Sequence, residues 1–406
     1  MNDATLAFIH RHRTDDVHSL ALKAHGHDDV DLPMALQQIA GWQTARRKLP
    51  SWACIDGLRY PPHLSMEQCS SEDTARYKTR LVERLLASQN DATEGEEPTL
   101  TDLTGGFGVD FSFMAKGFKR AVYVEQQDAL CQLARHNFPL LGLSHAEVCY
   151  SDAETYLQQM DKSTVIFMDP ARRDAHGQRT FAIADCTPDA ARLKDLLMQK
   201  AQWVVLKLSP MLDWHKAVAD LQPYVCEVHI VAVANECREL LLVLCQHPAA
   251  PLEVFCVNDA HLFRFSPSSP ASCPVNCGSA AVPNPPSPLY LYEPNAAIMK
   301  AGCFAHLSQA FCLQPLSPNS HLFLSPTLSD AFPGRRFTVL SVCSLNKKQL
   351  RQALQDIDRA NIAVRNFPLT APELRRRLRL ADGGPTYIFG TTDAQGQHCL
   401  FICTKM

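Results

Sequence analysis

The chain has 406 residues, 46% hydrophobic and 20% charged, with a net charge of −3. That length supports two or three domains with a substantial core, and the near balance of charge excludes a protein drawn to nucleic acid by its overall field. No run of about 18 uncharged apolar residues occurs, and residues 1–13 lack the apolar stretch of a secretory signal. A cytoplasmic protein with no membrane association is expected. The sixteen cysteines are scattered, and Cys226, Cys245 and Cys403 sit inside apolar runs, as reduced core thiols do. Cys273 and Cys277 have no second pair at zinc-site spacing, so no metal is expected.

Helical spacing runs through Leu6, Phe8 and Ile9, then Met34, Leu36, Ile39 and Trp42, and stops at Pro50. A further helix should begin near Ser70, where Ser70-Ser71-Glu72-Asp73 offers a capping hydroxyl and first-turn carboxylates. Residues 1–95 therefore read as an N-terminal helical region. From residue 100, short apolar runs at 100–103, 121–124, 147–150, 164–168 and 203–206 alternate with helical stretches, which implies a parallel sheet covered on both faces. The runs at 228–233 and 240–245 are joined by a short turn at Asn235 and Glu236, too short for a crossover, and must pair antiparallel. Five parallel strands closed by a hairpin form the Rossmann-like sheet of class I methyltransferases over 96–250; a dinucleotide-binding domain would continue parallel.

Residues 251–406 read as a C-terminal α+β region, interrupted by a Pro/Ser-rich flexible loop at 266–288. Beyond it come a helix over 296–311, strands at 337–342, 387–389 and 399–403, and a helix over 347–357. Residues 335–380 carry eleven Lys/Arg against three Asp/Glu, including Arg375, Arg376, Arg377 and Arg379.

The chemistry-bearing motifs fall at strand ends. Asp102-Leu103-Thr104-Gly105-Gly106-Phe107-Gly108 follows the first strand, and its glycines let backbone turn tightly and approach a ligand at a helix N-terminus. Glu125 ends the second strand, where a carboxylate accepts from both hydroxyls of a ribose, and Asp152 with Ala153 follows the third, where an adenine amino group would lie. The third glycine of the NAD fingerprint is missing, so S-adenosylmethionine is the expected cofactor. Asp169-Pro170-Ala171-Arg172-Arg173 closes the fourth strand, facing the place of a methyl acceptor. Asp169 there would accept from an exocyclic amine and raise the electron density on its nitrogen; otherwise Asp-Pro merely ends a strand. Arg172 and Arg173 either bind substrate phosphate or pair with Asp169 or Asp174. Lys207 and Ser209, in Lys207-Leu208-Ser209-Pro210, either rim the site for substrate or mark a strand end.

The loop at 102–108, Val122-Tyr123-Val124-Glu125, Ala134-Arg135-His136-Asn137 and Asp169-Pro170 together resemble the RNA cap guanine-N2 methyltransferases, the trimethylguanosine synthase group. The segment Ser70-Ser71-Glu72-Asp73-Thr74-Ala75 is similar to that group's cofactor-contacting Ser/Thr-Pro-Glu stretch, which implies cofactor contacts from Ser71, Glu72 and Thr74. The order Gln68-Cys69-Ser70-Ser71-Glu72, Asp169 to Arg173, Lys207 to Pro210, Tyr292-Glu293-Pro294-Asn295 and Asn366-Phe367-Pro368-Leu369 resembles bacterial class I methyltransferases ending in a THUMP-like domain. One departure stands out: Ala171 and Arg172 replace the proline and aromatic residue with which the guanine-N2 enzymes stack the base.

The resemblance implies a methyltransferase acting on a base amine of structured RNA, tRNA or rRNA, with the basic C-terminal arginines gripping phosphates. The alternatives are a protein or small-molecule acceptor, or a non-catalytic RNA-binding protein on the same fold. No obligate protein partner is inferred.

Overall fold

The computed structural model describes residues 1–23, 29–88, 97–172, 183–248, 251–271 and 288–406, without the Lys23 and Arg172 side chains. Arg173, the pair Cys273 and Cys277, and most of the 266–288 loop lie outside the described residues. The chain divides into two compact units, one of residues 1–228 with 238–250, the other of 229–237 with 251–406.

In the first unit, α1 (Asp3–His12) is capped by Asn2, whose side chain accepts the Thr5 amide, and α2 (Leu32–Lys48) by Asp31. Helix α3 (Glu72–Ala87) starts at Ser71, whose hydroxyl accepts the Thr74 amide, with Glu72 and Asp73 in the first turn. It buries Ala75, Leu81, Val82 and Leu85 at helical spacing, each of the larger side chains contributing about 1.5–3 kcal/mol. Lys78 lies on that same inward stripe, so the helix carries a charge into the core.

The sheet follows: β1 (Thr99–Asp102), β2 (Arg120–Glu125), β3 (Ala146–Tyr150), β4 (Ser163–Met168), β5 (Ala201–Leu208), β6 (Val225–Val233) and β7 (Glu236–Cys245), ordered β3-β2-β1-β4-β5-β7-β6, of which residues 229–237 are counted with the second unit. The first five pair parallel. Strand β7 runs antiparallel to β5, with Trp203 opposite Cys245 and Leu208 opposite Leu240. The turn into it uses Ala234 and Asn235, at φ 51 and 62, the two left-handed residues that a tight hairpin of matching twist requires. Among the helices that flank the strands are α4 (Val109–Met114), α5 (Asp128–Leu140) and α6 (Ala153–Gln159). Central positions such as Val204, Val205 and Leu206 are fully buried, which is why these strands read as continuous apolar runs.

The second unit contains a hairpin of β8 (Glu253–Asn258) and β9 (His261–Phe265). It also holds a sheet ordered β11 (Phe323–Ser325), β10 (Tyr290–Pro294), β12 (Gly334–Ser344), β15 (His398–Lys405), β14 (Ala381–Thr392), β13 (Arg359–Arg365), with Gln314–Pro315 beside β11. Its pairs are antiparallel except β13 with β14, whose crossover contains α10 (Ala371–Leu378). One cluster centres on Leu291, Phe337, Phe389 and Phe401, a second on Leu374, Ile388, Leu400 and Ile402, so alternate residues of β14 and β15 serve different cores.

The expected helix over 296–311 is two helices, α7 (Ala296–Ala301) and α8 (Phe304–Phe311), broken where Gly302 adopts φ 70. The one expected over 347–357 ends early, as α9 (Lys347–Ala353). Strands β8 to β11 and β13 go beyond the sequence pattern; β13, an edge strand with arginines at both ends and mostly half-buried residues, shows no clear alternation. Among the described residues no helix is long and apolar enough to cross a membrane.

Candidate active site

A cavity of about 740 Å³ opens at the carboxyl ends of β1 to β5, where open parallel sheets place their ligands. Its first wall is the loop after β1. Gly105 donates to the Val124 carbonyl at 2.8 Å and lies so close to Tyr123 that a Cβ there would sit 2.1 Å from the ring. Gly106 and Gly108 take φ of 56 and 81, and Gly108 opens α4. The Gly106 amide donates to Glu125 Oε2 and the Gln127 amide to Oε1, each at 2.8 Å. A carboxylate has about four acceptor sites, so Glu125 is pinned by backbone and keeps capacity for a ligand.

Asp102, fully buried, accepts the Thr104 amide at 2.9 Å. Burial pushes its carboxyl well above the usual range, reinforced by Asp110, Asp169 and Glu125 and opposed by that amide. Thr104 in turn accepts the Asp169 amide at 2.7 Å, tying the β1 loop to the end of β4. Asp152 is exposed and caps α6, its Oδ1 taking the Thr155 amide at 2.9 Å, a bond that holds its pKa below the usual carboxylate range. Asp102, Thr104, Gly105, Gly106, Gly108, Glu125, Asp152, Ala153, Asp169, Pro170, Lys207 and Ser209 all line the cavity.

Ser71, Glu72 and Thr74 do not. Ser71 caps α3 over Thr74, and Glu72 is buried against the Ser51 amide at 2.8 Å and the Arg76 guanidinium. The wall there is formed instead by Ser65, Gln68, Cys69 and Ser70, because the helix begins one residue later and turns its first turn away. Ala171 and Arg172 pair with Thr187 and Cys186 in a short ladder, Ala171 lining the cavity. Arg375, Arg376, Arg377 and Arg379 belong to the second unit and are described there: Arg375 pairs with Asp382, while Arg376, Arg377 and Arg379 are exposed at the end of α10.

The sequence pattern does not single out the ionic cluster behind the cavity. Lys207 Nζ lies 2.6 Å from Asp169 Oδ2 and 3.4 Å from Asp110 Oδ2. Asp110 accepts from Ser70 Oγ at 2.7 Å and faces Lys78 Nζ at 3.1 Å; Lys78, with no exposed surface, reaches Glu239 at 2.6 Å. Burial disfavours the charge on Lys207, but Asp169, Asp110 and Glu239 outweigh it and hold its pKa above the ordinary lysine value. Burial raises the Glu239 pKa, whereas for Asp110 the two lysines overcome burial and lower it. Only the charged residues at otherwise apolar-facing positions, Lys78 on the α3 stripe and Glu239 before a run of leucines, offer a sequence signal. Among the described residues no group of His, Cys, Asp and Glu suits a metal ion.

The strand order with a reversed strand between β5 and β6, and a cavity beyond the carboxyl ends of β1 to β5, define a class I methyltransferase fold. Residues 334–405 match a family described as THUMP domain-like, and residues 290–333 one described as a ferredoxin-like domain. The structure of a candidate methyltransferase from Porphyromonas gingivalis W83 is similar at 31% identity and a TM-score of 0.80, over 99% of this chain and 97% of that one. The chain belongs to the same family as that protein. Partial likenesses extend to a candidate class I S-adenosylmethionine-dependent methyltransferase from Listeria monocytogenes (10% identity, TM-score 0.40, 64% of this chain and 94% of that one). An O-methyltransferase from Bacillus cereus in complex with SAH is another (14% identity, TM-score 0.34, 50% and 91%). No curated protein sequence matches the chain.

Proposed function

We propose that the chain is an S-adenosylmethionine-dependent methyltransferase acting on structured RNA, tRNA or rRNA. The observation that carries the cofactor is Glu125, fixed by two backbone amides at the cavity wall with acceptor capacity left for ribose hydroxyls. The cavity volume suits a ligand of that size, and the glycines at 105, 106 and 108 leave backbone open to close approach. Asp152 and Ala153 stand where the adenine edge would lie, with Asp102 and Thr104 shaping the floor. When bound, the cofactor supplies an electrophilic methyl group carried on a sulfonium; the chain's own task is to place the acceptor in line and handle its proton.

Support for RNA comes from the THUMP-like module and its exposed Arg376, Arg377 and Arg379. The motif Asp169 to Arg173 favours a base amine donating to Asp169, with Pro170, Arg172 and Arg173 around the acceptor. Calorimetry should show S-adenosylmethionine binding, and labelled methyl should pass into RNA from cells lacking this protein. Label entering protein or a small metabolite would overturn the RNA reading, and absence of cofactor binding would favour a non-catalytic RNA-binding protein.

A further inference from the structure

The ends of β4 and β5 bring together two groups of opposite charge at the cavity wall. Lys207 Nζ and Asp169 Oδ2 are 2.6 Å apart, and both residues line the cavity. Lys207 is anchored from behind: Asp110 faces it from α4 at 3.4 Å, and Asp110 is itself held by Ser70 and by Lys78, which Glu239 engages from β7. An ammonium thus stands beside the carboxylate, locked by partners that are almost wholly buried.

Resting on the RNA methyltransferase reading above, we propose that the acceptor atom is an oxygen, the 2′-hydroxyl of a ribose, with Lys207 and Asp169 as the groups that contact it. An amine nitrogen gains positive charge as its lone pair bonds the methyl carbon, and a fixed ammonium beside it opposes that change. A hydroxyl oxygen gains alkoxide character as its proton leaves, and the same ammonium donates a hydrogen bond to that charge. A base amine would also bring a ring into the cavity. Among the described residues, Pro170, Ala171, Thr187 and Ser209 form the wall beside the pair, while the aromatic residues that line the cavity, Phe107 and Phe167, come from the loop after β1 and from within β4, where Phe167 is buried. The 2′-hydroxyl is present on every nucleotide of RNA and asks for no ring pocket.

The step balances within these residues. The hydroxyl O–H bond breaks and its proton passes to the Asp169 carboxylate, while the oxygen's electron pair forms the new bond to the methyl carbon supplied by the cofactor, whose sulfur keeps the carbon–sulfur pair. Lys207 stays protonated throughout, and Asp169 later gives its proton to water. This assigns Lys207 to the reacting oxygen, a sharper role than the place at the substrate rim that its position in the sequence suggests.

The test is to methylate RNA from a deletion strain with labelled S-adenosylmethionine and digest it with alkali. Label in alkali-stable dinucleotides is expected; label in a base of single nucleotides overturns the oxygen assignment while the RNA reading stands, and no label in RNA overturns both. Binding of an oligonucleotide covering the mapped site to the protein saturated with S-adenosylhomocysteine gives a readout without turnover. Replacing the target 2′-hydroxyl by hydrogen should weaken binding about tenfold, the weight of a hydrogen bond to a charged group. In Lys207→Met the same replacement should cost clearly less, only the Asp169 contact remaining to be lost, whereas fully additive losses overturn the contact. Lys207→Met should also lower kcat about a hundredfold or more with S-adenosylhomocysteine affinity unchanged, and Lys207→Arg should restore part of it. A Lys207→Met enzyme as fast as the parent sinks the proposal.

Discussion

Two ionic clusters invite comparison. Behind the cavity of the first unit, Lys78 and Lys207 are set among Asp110, Asp169 and Glu239, an excess of acid in which Lys78 has no exposed surface. In the second unit the ratio is inverted: Glu293, 4% exposed, holds Arg335 and Arg365, whose side chains remain 42% and 39% exposed. An acid-rich, water-poor cluster at a cavity favours a cationic ligand and fixes a lysine as a hydrogen-bond donor. A base-rich cluster with its cations half in solvent favours phosphate and contributes little to stability. The same residue types therefore sit in different electrostatic settings, decided by burial and by the sign of the excess.

The largest effect that would break this contrast is chemical. Asp169→Ala should lower turnover by about a hundredfold or more in steady-state assays while leaving cofactor affinity close to that of the parent. Glu125→Ala should chiefly weaken cofactor binding, by about tenfold or more in calorimetry, because a pinned acceptor is lost. Equal losses of affinity in both would show that Asp169 belongs to the cofactor site.

Next in size is stability. Lys78→Met strips Glu239 and Asp110 of a buried partner and should cost about 3–5 kcal/mol in urea unfolding, much of it recovered in Lys78→Met with Glu239→Leu. Glu293→Gln, whose partners reach water, should cost about 1 kcal/mol or less. A similar cost for both would mean that burial does not separate the clusters.

A smaller effect concerns RNA. Arg376→Glu with Arg377→Glu should weaken RNA binding and flatten its dependence on salt, since each lost phosphate contact lowers the slope by roughly one. Unchanged affinity and slope would make α10 an ordinary solvated helix.

The smallest is the acid sensitivity of Glu72. Burial works against its charge, but the Ser51 amide and Arg76 outweigh it and lower its pKa below the ordinary value of 4.5. A depressed folded pKa contributes stability that is present above that value and fades as pH falls through the folded one. Glu72→Gln should therefore shrink the stability difference between pH 7 and pH 3, measured by thermal unfolding.

The sequence by itself determined the first unit's sheet, since five buried parallel strands and a tight hairpin write themselves as apolar runs with a two-residue turn, and it marked Asp102, Glu125, Asp152 and Asp169 at strand ends. It also marked the basic stretch around Arg376. What it could not decide was which charges meet. Lys78, Asp110, Lys207 and Glu239 come from α3, α4, β5 and β7, up to 161 positions apart, and no local period records a contact made across that distance. Nor could it decide that α3 begins at Glu72 with Ser70 left facing the cavity, or that Gly302 splits a helix, because caps and left-handed breaks are settled by where each turn packs. Local patterns fix the backbone's periodicity; only tertiary packing sets the partners, and here the partners decide the chemistry.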